Sequence, residues 1–223
     1  MGVSMLNLGA ALPEIFMAVS ALALLMLGVF AGKDKAFRTV SWLAVAAQII
    51  TVILVVTGEG GPAFFGQFTA DAFAQFCKVM ILIGSSVGII MSMKFAEREN
   101  MARFEFPILI TLATVGMMAM VSASDMMSLY LGLELQSLAL YVVAAIRRDT
   151  IRSTESGLKY FILGSIASGM LLYGMSMVYG FTGTTNFAVL ADTLTGGDLP
   201  VGAMVGLAFM FAGLCFKISA VPF

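Results

Sequence analysis

Three ionisable residues lie inside long apolar stretches, where a membrane helix normally has none. Glu134 lies among leucines, Lys159 lies near the start of the next apolar stretch, and Lys217 lies in the last one. A charge near the centre of a bilayer costs about 2.5 to 3.5 kcal/mol on insertion scales, so such residues indicate a pathway for ions or protons. The three residues therefore predict proton movement through a membrane, with one carboxylate and two amines as relay groups.

Glu134 is the deepest of these charges. It follows Asp125, the first polar residue before its apolar stretch, by nine residues, which is about 13 Å along a helix. Ser137 and Tyr141 follow at i+3 and i+7, so the helix has one polar face that can line a water path. The alternative is a structural carboxylate that bonds a neighbouring helix, although Ser, Thr or Asn usually serve that purpose.

Lys159 has a nearby carboxylate on its own helix. Glu155 precedes it by four residues, in the favourable order for a helical ion pair. One hypothesis is a switch in which Lys159 pairs alternately with Glu155 and Glu134, and Glu134 takes up a proton whenever the amine leaves it. The alternative is that Lys159 snorkels to the membrane interface.

Lys217 lies shortly before Pro222. Proline removes a backbone donor and disfavours helix at the preceding residue, so the last helix is expected to break there. The carbonyl groups at the end of a half-helix favour a cation, and broken helices recur in ion-translocating proteins. The alternative is an interface anchor. A fourth buried candidate, Lys78, is expected to snorkel to the outer surface.

The elements that carry these residues are membrane helices. Of the 223 residues, 60% are hydrophobic and 11% are charged, and the mean hydropathy is +1.01, so the chain is an integral membrane protein. Runs of about 18 to 25 apolar residues span a bilayer as helices. These runs predict an all-α, polytopic bundle with seven spans in a single domain: 11–31, 39–57, 72–94, 106–123, 126–146, 154–180 and 200–223.

The distribution of positive charge predicts the orientation of this bundle. Nine of the twelve Lys and Arg residues fall in the first, third and fifth loops or, for Lys94, at the end of the adjoining span, and the other three fall inside spans. The positive-inside rule assigns the three basic loops to the cytoplasm and places the N-terminus outside.

Several kinds of chemistry are excluded by composition. The chain has no histidine and only two cysteines, which rules out imidazole ligation of haem and an iron–sulfur cluster held by this chain alone. No Walker loop or dinucleotide fingerprint is present, and the basic residues form no stripe suited to nucleic acid. No cofactor or metal is therefore expected on this chain, and any coupled redox reaction takes place elsewhere.

Three segments carry a family resemblance. The sequences YLGLELQSLALYVVAA at 130–145, ESGLKYFILGSIASGMLLYGMSMVYG at 155–180 and GLCFKISAVPF at 213–223 resemble subunit N of bacterial respiratory complex I, the proton-pumping NADH:quinone oxidoreductase. The ALPEI segment at 11–15 is similar to the first helix of that family. By this resemblance, Glu134, Lys159 and Lys217 match the glutamate of helix 5, the lysine of helix 6 and the lysine of the broken helix 7.

The resemblance implies a proton channel in the membrane arm of a multi-pass complex in the bacterial inner membrane. Its partners would be other membrane-arm subunits and lipids, with NADH, FMN, iron–sulfur clusters and quinone handled by partner subunits. It implies an antiporter-like fold with inverted repeats that continues beyond Phe223, so the chain is expected to be the N-terminal part of a longer subunit. The alternatives are a cation/proton antiporter subunit and a structural membrane scaffold.

Overall fold

The computed structural model describes residues 7–30, 33–99, 101–195 and 200–221. These ranges contain eight α-helices, which are α1 (Leu12–Phe30), α2 (Lys33–Thr57), α3 (Ala72–Arg98), α4 (Glu105–Val121), α5 (Met126–Ala144), α6 (Ile151–Thr182), α7 (Phe187–Thr195) and α8 (Val201–Lys217). Two short antiparallel strands, β1 (Gly61–Ala63) and β2 (Phe68–Ala70), flank a 3-10 turn at Phe64–Gly66.

Each of the seven apolar runs of the sequence forms a helix over most of its described length, which confirms the all-α class. Among the described residues, five helices are long and apolar enough to cross a membrane: α1, most of α2, α3, α5 and α6. Two more apolar helices, α4 and α8, have 17 residues each. The chain is a multi-pass membrane protein, while the count of seven spans and the orientation stay predictions.

Helices α1 to α4 pack as a bundle in which α1 and α3 each lie against α2 and α4. Helices α5, α6 and α8 form a second group, and α6 packs extensively along α8. The two groups meet where α4 lies against α5. A methyl group at Gly116 of α4 would lie 2.6 Å from the backbone nitrogen of Gln136 in α5, so the close contact between these helices requires glycine.

Turns and loops tie the helices together at each end of the molecule. At one end, called here the hairpin end, β2 bridges from Phe68 to Ala123, and Asp125 accepts hydrogen bonds from the backbone of Met127 and the hydroxyl of Thr185. The opposite end is called here the basic end. There the loop between α3 and α4 forms ion pairs with the loop between α5 and α6, namely Glu99 with Arg147 and Arg103 with Asp149.

Two features of the loops differ from the sequence prediction. Residues 58–71 and 181–199 lie between predicted spans, and they contain the β1–β2 hairpin and helix α7, for which no element was predicted. The last helix was expected to reach 223, but α8 ends at Lys217. Both helix α7 and the strands are too short to resemble a membrane span, so hydropathy over long windows does not detect them.

Candidate functional site

Lys217 and Glu134 form an ion pair between α8 and α5. The Lys217 Nζ lies 3.3 Å from Glu134 Oε1, and it also donates hydrogen bonds to Ser137 Oγ at 2.9 Å and to Tyr141 Oη at 3.3 Å. The side chains of Lys217 and Glu134 are 12% and 20% exposed. The three acceptors follow one another at i, i+3 and i+7, so one face of α5 supplies every contact that the ammonium group makes here.

A third helix contributes to the same cluster. The Ser168 hydroxyl on α6 donates a hydrogen bond to Glu134 Oε1, which also receives the Lys217 ammonium. The cluster therefore joins α5, α6 and α8 through one carboxylate, one amine and three hydroxyl groups. Hydroxyl groups both donate and accept protons, so this is a composition suited to a proton relay.

The local sequence positions Lys217 at the end of α8. The helix ends in a Schellman motif. Ser219 has a φ of 56°, and the backbone amides of Ser219 and Ala220 donate hydrogen bonds to the carbonyl oxygens of Phe216 and Cys215, respectively. Lys217 is the last helical residue, so its cation lies at the negative end of the helix dipole. The sequence predicts a break of this helix at Pro222. That residue lies outside the described residues, and α8 already ends at Lys217.

Close packing of α6 keeps the cluster in place. A methyl group at Gly164 would overlap with the Tyr141 hydroxyl, so the glycine allows Tyr141 to lie against α6. The Tyr141 ring also makes edge contacts with Tyr160 and Phe161, with ring centroids 4.7 Å and 5.7 Å apart. These contacts hold the hydroxyl within reach of Lys217.

An open groove leads from the basic end to this cluster. It has a volume of about 540 Å³ and runs between α5 and α6. Arg148 lies on its lining at the basic end, and Tyr141 lies on its lining next to Lys217. The other lining residues are mostly apolar: Val142, Ala145, Ile146, Thr154, Gly157, Leu158 and Phe161. The groove is wide enough to admit several water molecules.

Lys159 lies outside this cluster. Its side chain is 69% exposed, and its Nζ lies 2.6 Å from Glu155 Oε1. The structure thus shows one of the two partners that the switch hypothesis gives to Lys159. The other partner, Glu134, is engaged by Lys217 in this structure. Of the three predicted relay charges, two are brought together and the third is separate.

Sequence reasoning missed one ion pair altogether. Lys78 was expected to snorkel to the surface, but its side chain is 2% exposed and ends 2.7 Å from Glu14 Oε1. The expectation was wrong because it considered only the distance of Lys78 from the end of its helix. Glu14, a carboxylate at the start of the first apolar run, was the available signal.

Comparisons with known proteins identify the relatives of this fold and site. The transmembrane family model described as NADH:quinone oxidoreductase/Mrp antiporter matches residues 123–223. NADH-quinone oxidoreductase subunit N of Rhodobacter capsulatus is 52% identical over 95% of this chain, and subunit N 1 of Rhizobium meliloti strain 1021 is 56% identical over 97%. The chain is a relative of NADH-quinone oxidoreductase subunit N. It spans 45% of the length of each of these two relatives.

Solved structures agree with this relationship. A chain of respiratory complex I from Thermus thermophilus with bound aureothin superposes with a TM-score of 0.77 at 25% identity, over 95% of this chain and 45% of that one. A chain of the Mrp complex from Dietzia sp. DQ12-45-1b superposes with a TM-score of 0.69 at 24% identity, over 97% and 42%. The second likeness shows that the two proteins share the fold.

Proposed function

We propose that this chain belongs to a proton-translocating membrane-arm subunit of NADH:quinone oxidoreductase. The observation that carries the proposal is the Glu134–Lys217 ion pair, which lies among hydroxyl groups beside a groove open at the basic end. Its relatives named subunit N support the assignment. The positive-inside rule places the basic end in the cytoplasm of a bacterial inner membrane, so the groove is the entry side of the route.

The cluster transfers a proton in two steps. Lys217 passes a proton to the Glu134 carboxylate, which leaves a neutral amine and a carboxylic acid. A proton from water in the groove then restores the ammonium, with the Tyr141 hydroxyl lying between the groove and Lys217. The Ser168 hydroxyl of α6 donates a hydrogen bond to Glu134. Because a hydroxyl group can both donate and accept a proton, Ser168 is the next group of the proposed relay after Glu134. Pro222 lies outside the described residues, and the break that the sequence predicts at Pro222 stays a prediction.

Lys159 is the second amine of the proposed route. In the switch hypothesis it alternates between Glu155 and Glu134, and the observed Lys217 contact makes the two lysines competitors for one carboxylate. An ammonium group in contact with Glu134 favours the ionised carboxylate, because a lone charge in a low-dielectric site is costly. Glu134 therefore holds a proton when neither lysine presents an ammonium group to it, either because the amine has turned away or because it has given up its proton.

The reaction that drives transport is assigned to partner subunits. Among the residues that the structure describes, no group of three or more His, Cys, Asp or Glu side chains is placed to hold a metal ion. In this proposal NADH, FMN, iron–sulfur clusters and quinone belong to other subunits of the enzyme, and this chain carries the coupled movement of protons. Its contacts are with neighbouring membrane-arm subunits and lipids.

Glu134→Gln tests the proposal in the complete complex. Glutamine keeps the shape of the side chain but cannot accept a proton, and a hydrogen bond to a charged group is worth about 1.5–3 kcal/mol. We expect NADH-driven proton translocation in vesicles, normalised to assembled complex, to fall by about tenfold or more. Glu97→Gln, an exposed carboxylate on α3, is the matched control and should translocate like the parent.

The same variant separates the proposal from its alternatives. The likeness to an Mrp chain raises the possibility of cation/proton exchange, which would appear as sodium- or potassium-dependent proton movement in vesicles without NADH. A structural scaffold would instead lose assembled complex in Glu134→Gln while the remaining complex translocated normally. Either result would overturn the proposed function.

A further inference from the structure

A second buried ion pair lies inside the α1–α4 bundle, near the hairpin end. Lys78 Nζ of α3 lies 2.7 Å from Glu14 Oε1 of α1, and the two side chains are 2% and 10% exposed. Since α1 and α3 each pack against α2 and α4, the pair crosses the middle of the bundle. It shares no residue with the Glu134–Lys217 cluster.

This pair has unused capacity for hydrogen bonds. The Lys78 ammonium has three donors, but its neighbours are one carboxylate and the ring of Phe68, whose centroid is 4.8 Å away. Glu14 Oε2 is buried and has no hydrogen-bond partner among the residues that the structure describes. A buried polar atom without a partner is costly, so the arrangement calls for water or a proton at this place.

A small cavity connects Lys78 with the surface. Its volume is about 10 Å³, which is close to the space needed for one water molecule. Exposed Gly58 and Glu59 lie on its lining together with Lys78, so the cavity opens at the hairpin end. Towards the basic end lies a buried apolar cluster: Met17, Val55, Leu82, Val115 and Met118. Val55 also lies on the lining of the cavity. The next turns of the same helices carry polar residues that hydrogen-bond to one another: Gln48, Ser85, Ser86 and Thr114.

We propose that Glu14 and Lys78 form a protonation site that exchanges protons with water at the hairpin end alone. A hydronium ion gives its proton to the Glu14 carboxylate, which yields a carboxylic acid and one water molecule. The Lys78 ammonium, now without a counter-charge, turns through the cavity towards the Glu59 carboxylate. Loss of the proton from Glu14 to water reverses both steps.

The charges around this site are few. Glu14 comes from α1, Lys78 from α3, and Glu59 from the loop between α2 and β1. Asp71 begins α3 and is occupied in accepting the backbone amide of Ala74. Helix α4 and strands β1 and β2 carry no charged residue at this end. Two carboxylates are therefore available to the Lys78 ammonium group: the buried one of Glu14 and the exposed one of Glu59.

The competing explanation is a clasp that only holds α1 to α3. Buried ion pairs often contribute little to stability, and apolar replacement of both partners is frequently tolerated. An ion pair that only holds two helices together requires neither a carboxylate oxygen without a hydrogen-bond partner nor a cavity that reaches the surface. These two features favour proton exchange, and accessibility and protonation can each be measured without reference to pumping.

Thiol labelling tests access to the site. In the complete complex with Cys77→Ser, Lys78→Cys is combined with Glu14→Gln so that no unpaired carboxylate remains. Silver ion, a charged thiol-reactive probe close to a water molecule in size, should react with Cys at this position when added on the hairpin side and not when added on the basic side. Leu82→Cys, which lies in the apolar cluster, should stay unlabelled from both sides. Absence of labelling at position 78 from the hairpin side, or labelling from the basic side, would overturn the proposal.

Infrared difference spectroscopy tests protonation in the folded complex. An acid step on the hairpin side should produce the carbonyl band of a protonated carboxylic acid that is lost in Glu14→Gln and retained in Glu97→Gln. If Glu14→Gln does not assemble alone, Glu14→Gln with Lys78→Met replaces it. Identical spectra for the parent and the Glu14 variant would show a clasp. Pumping defects in Glu134→Gln bear only on the proposed function, so the two ideas fail separately.

Discussion

Lys217→Met is expected to lower NADH-driven proton translocation by about 100-fold or more, because a positioned proton-transfer group typically contributes about 10²–10⁴. Methionine fills much of the same volume but leaves Glu134 without its cation. Glu134 would then keep only the Ser168 hydroxyl and would hold its proton in the low-dielectric interior. This loss exceeds that of Glu134→Gln, in which Lys217 keeps Ser137 and Tyr141 as acceptors.

The measurement is proton uptake by energised vesicles, normalised to the amount of assembled complex. Lys94→Met is the matched control, since Lys94 is exposed near the basic end of α3. It should translocate protons at the parental rate. Parental translocation in Lys217→Met would remove the amine from the proposed route.

Gly116→Ala is expected to cause a clear loss of assembled protein. The added Cβ would lie 2.6 Å from the backbone nitrogen of Gln136 and 2.7 Å from the carbonyl oxygen of Gly132. Backbone atoms of α5 cannot turn aside as a flexible side chain can, so α4 and α5 must separate. Overpacking of this kind costs about 1–3 kcal/mol and should lower the melting temperature of the purified complex.

Gly84→Ala provides the control for this experiment. Gly84 lies inside α3, and a methyl group there meets no atom within 4 Å. Alanine is favoured over glycine in a helix by about 0.5–1 kcal/mol, so the variant should be as stable as the parent or slightly more stable. If Gly116→Ala melted like Gly84→Ala, the close packing of α4 on α5 would be contradicted.

The spacing of polar residues in the sequence was sufficient to predict which face of α5 carries the site. Glu134, Ser137 and Tyr141 share that face because residues three and four apart lie side by side on a helix. The polar residues on a single helix therefore followed from spacing alone. The cation that pairs with Glu134 could not be predicted in this way. Spacing along one helix does not show which of two lysines on other helices, Lys159 or Lys217, reaches Glu134.

The remaining discrepancies come from packing between distant segments. Lys78 and Glu14 are 64 residues apart, and only the arrangement of four helices brings them together. Similarly, Gly84 and Gly88 have the i, i+4 spacing of small residues that often marks close helix packing, yet a methyl group at Gly84 meets no atom within 4 Å. Gly116 instead lies against the backbone of α5. Local patterns specify which side of a helix is polar or small, but not which helix it faces.

Glu134 and Lys217 are expected to act as one unit in proton translocation. The decisive measurement is NADH-driven proton translocation in Glu134→Gln, Lys217→Met and the double variant, each normalised to assembled complex. Because both substitutions remove the same ion pair, the double variant should translocate no more slowly than Lys217→Met alone. Losses that multiply in the double variant, as they do for independent sites, would contradict the account.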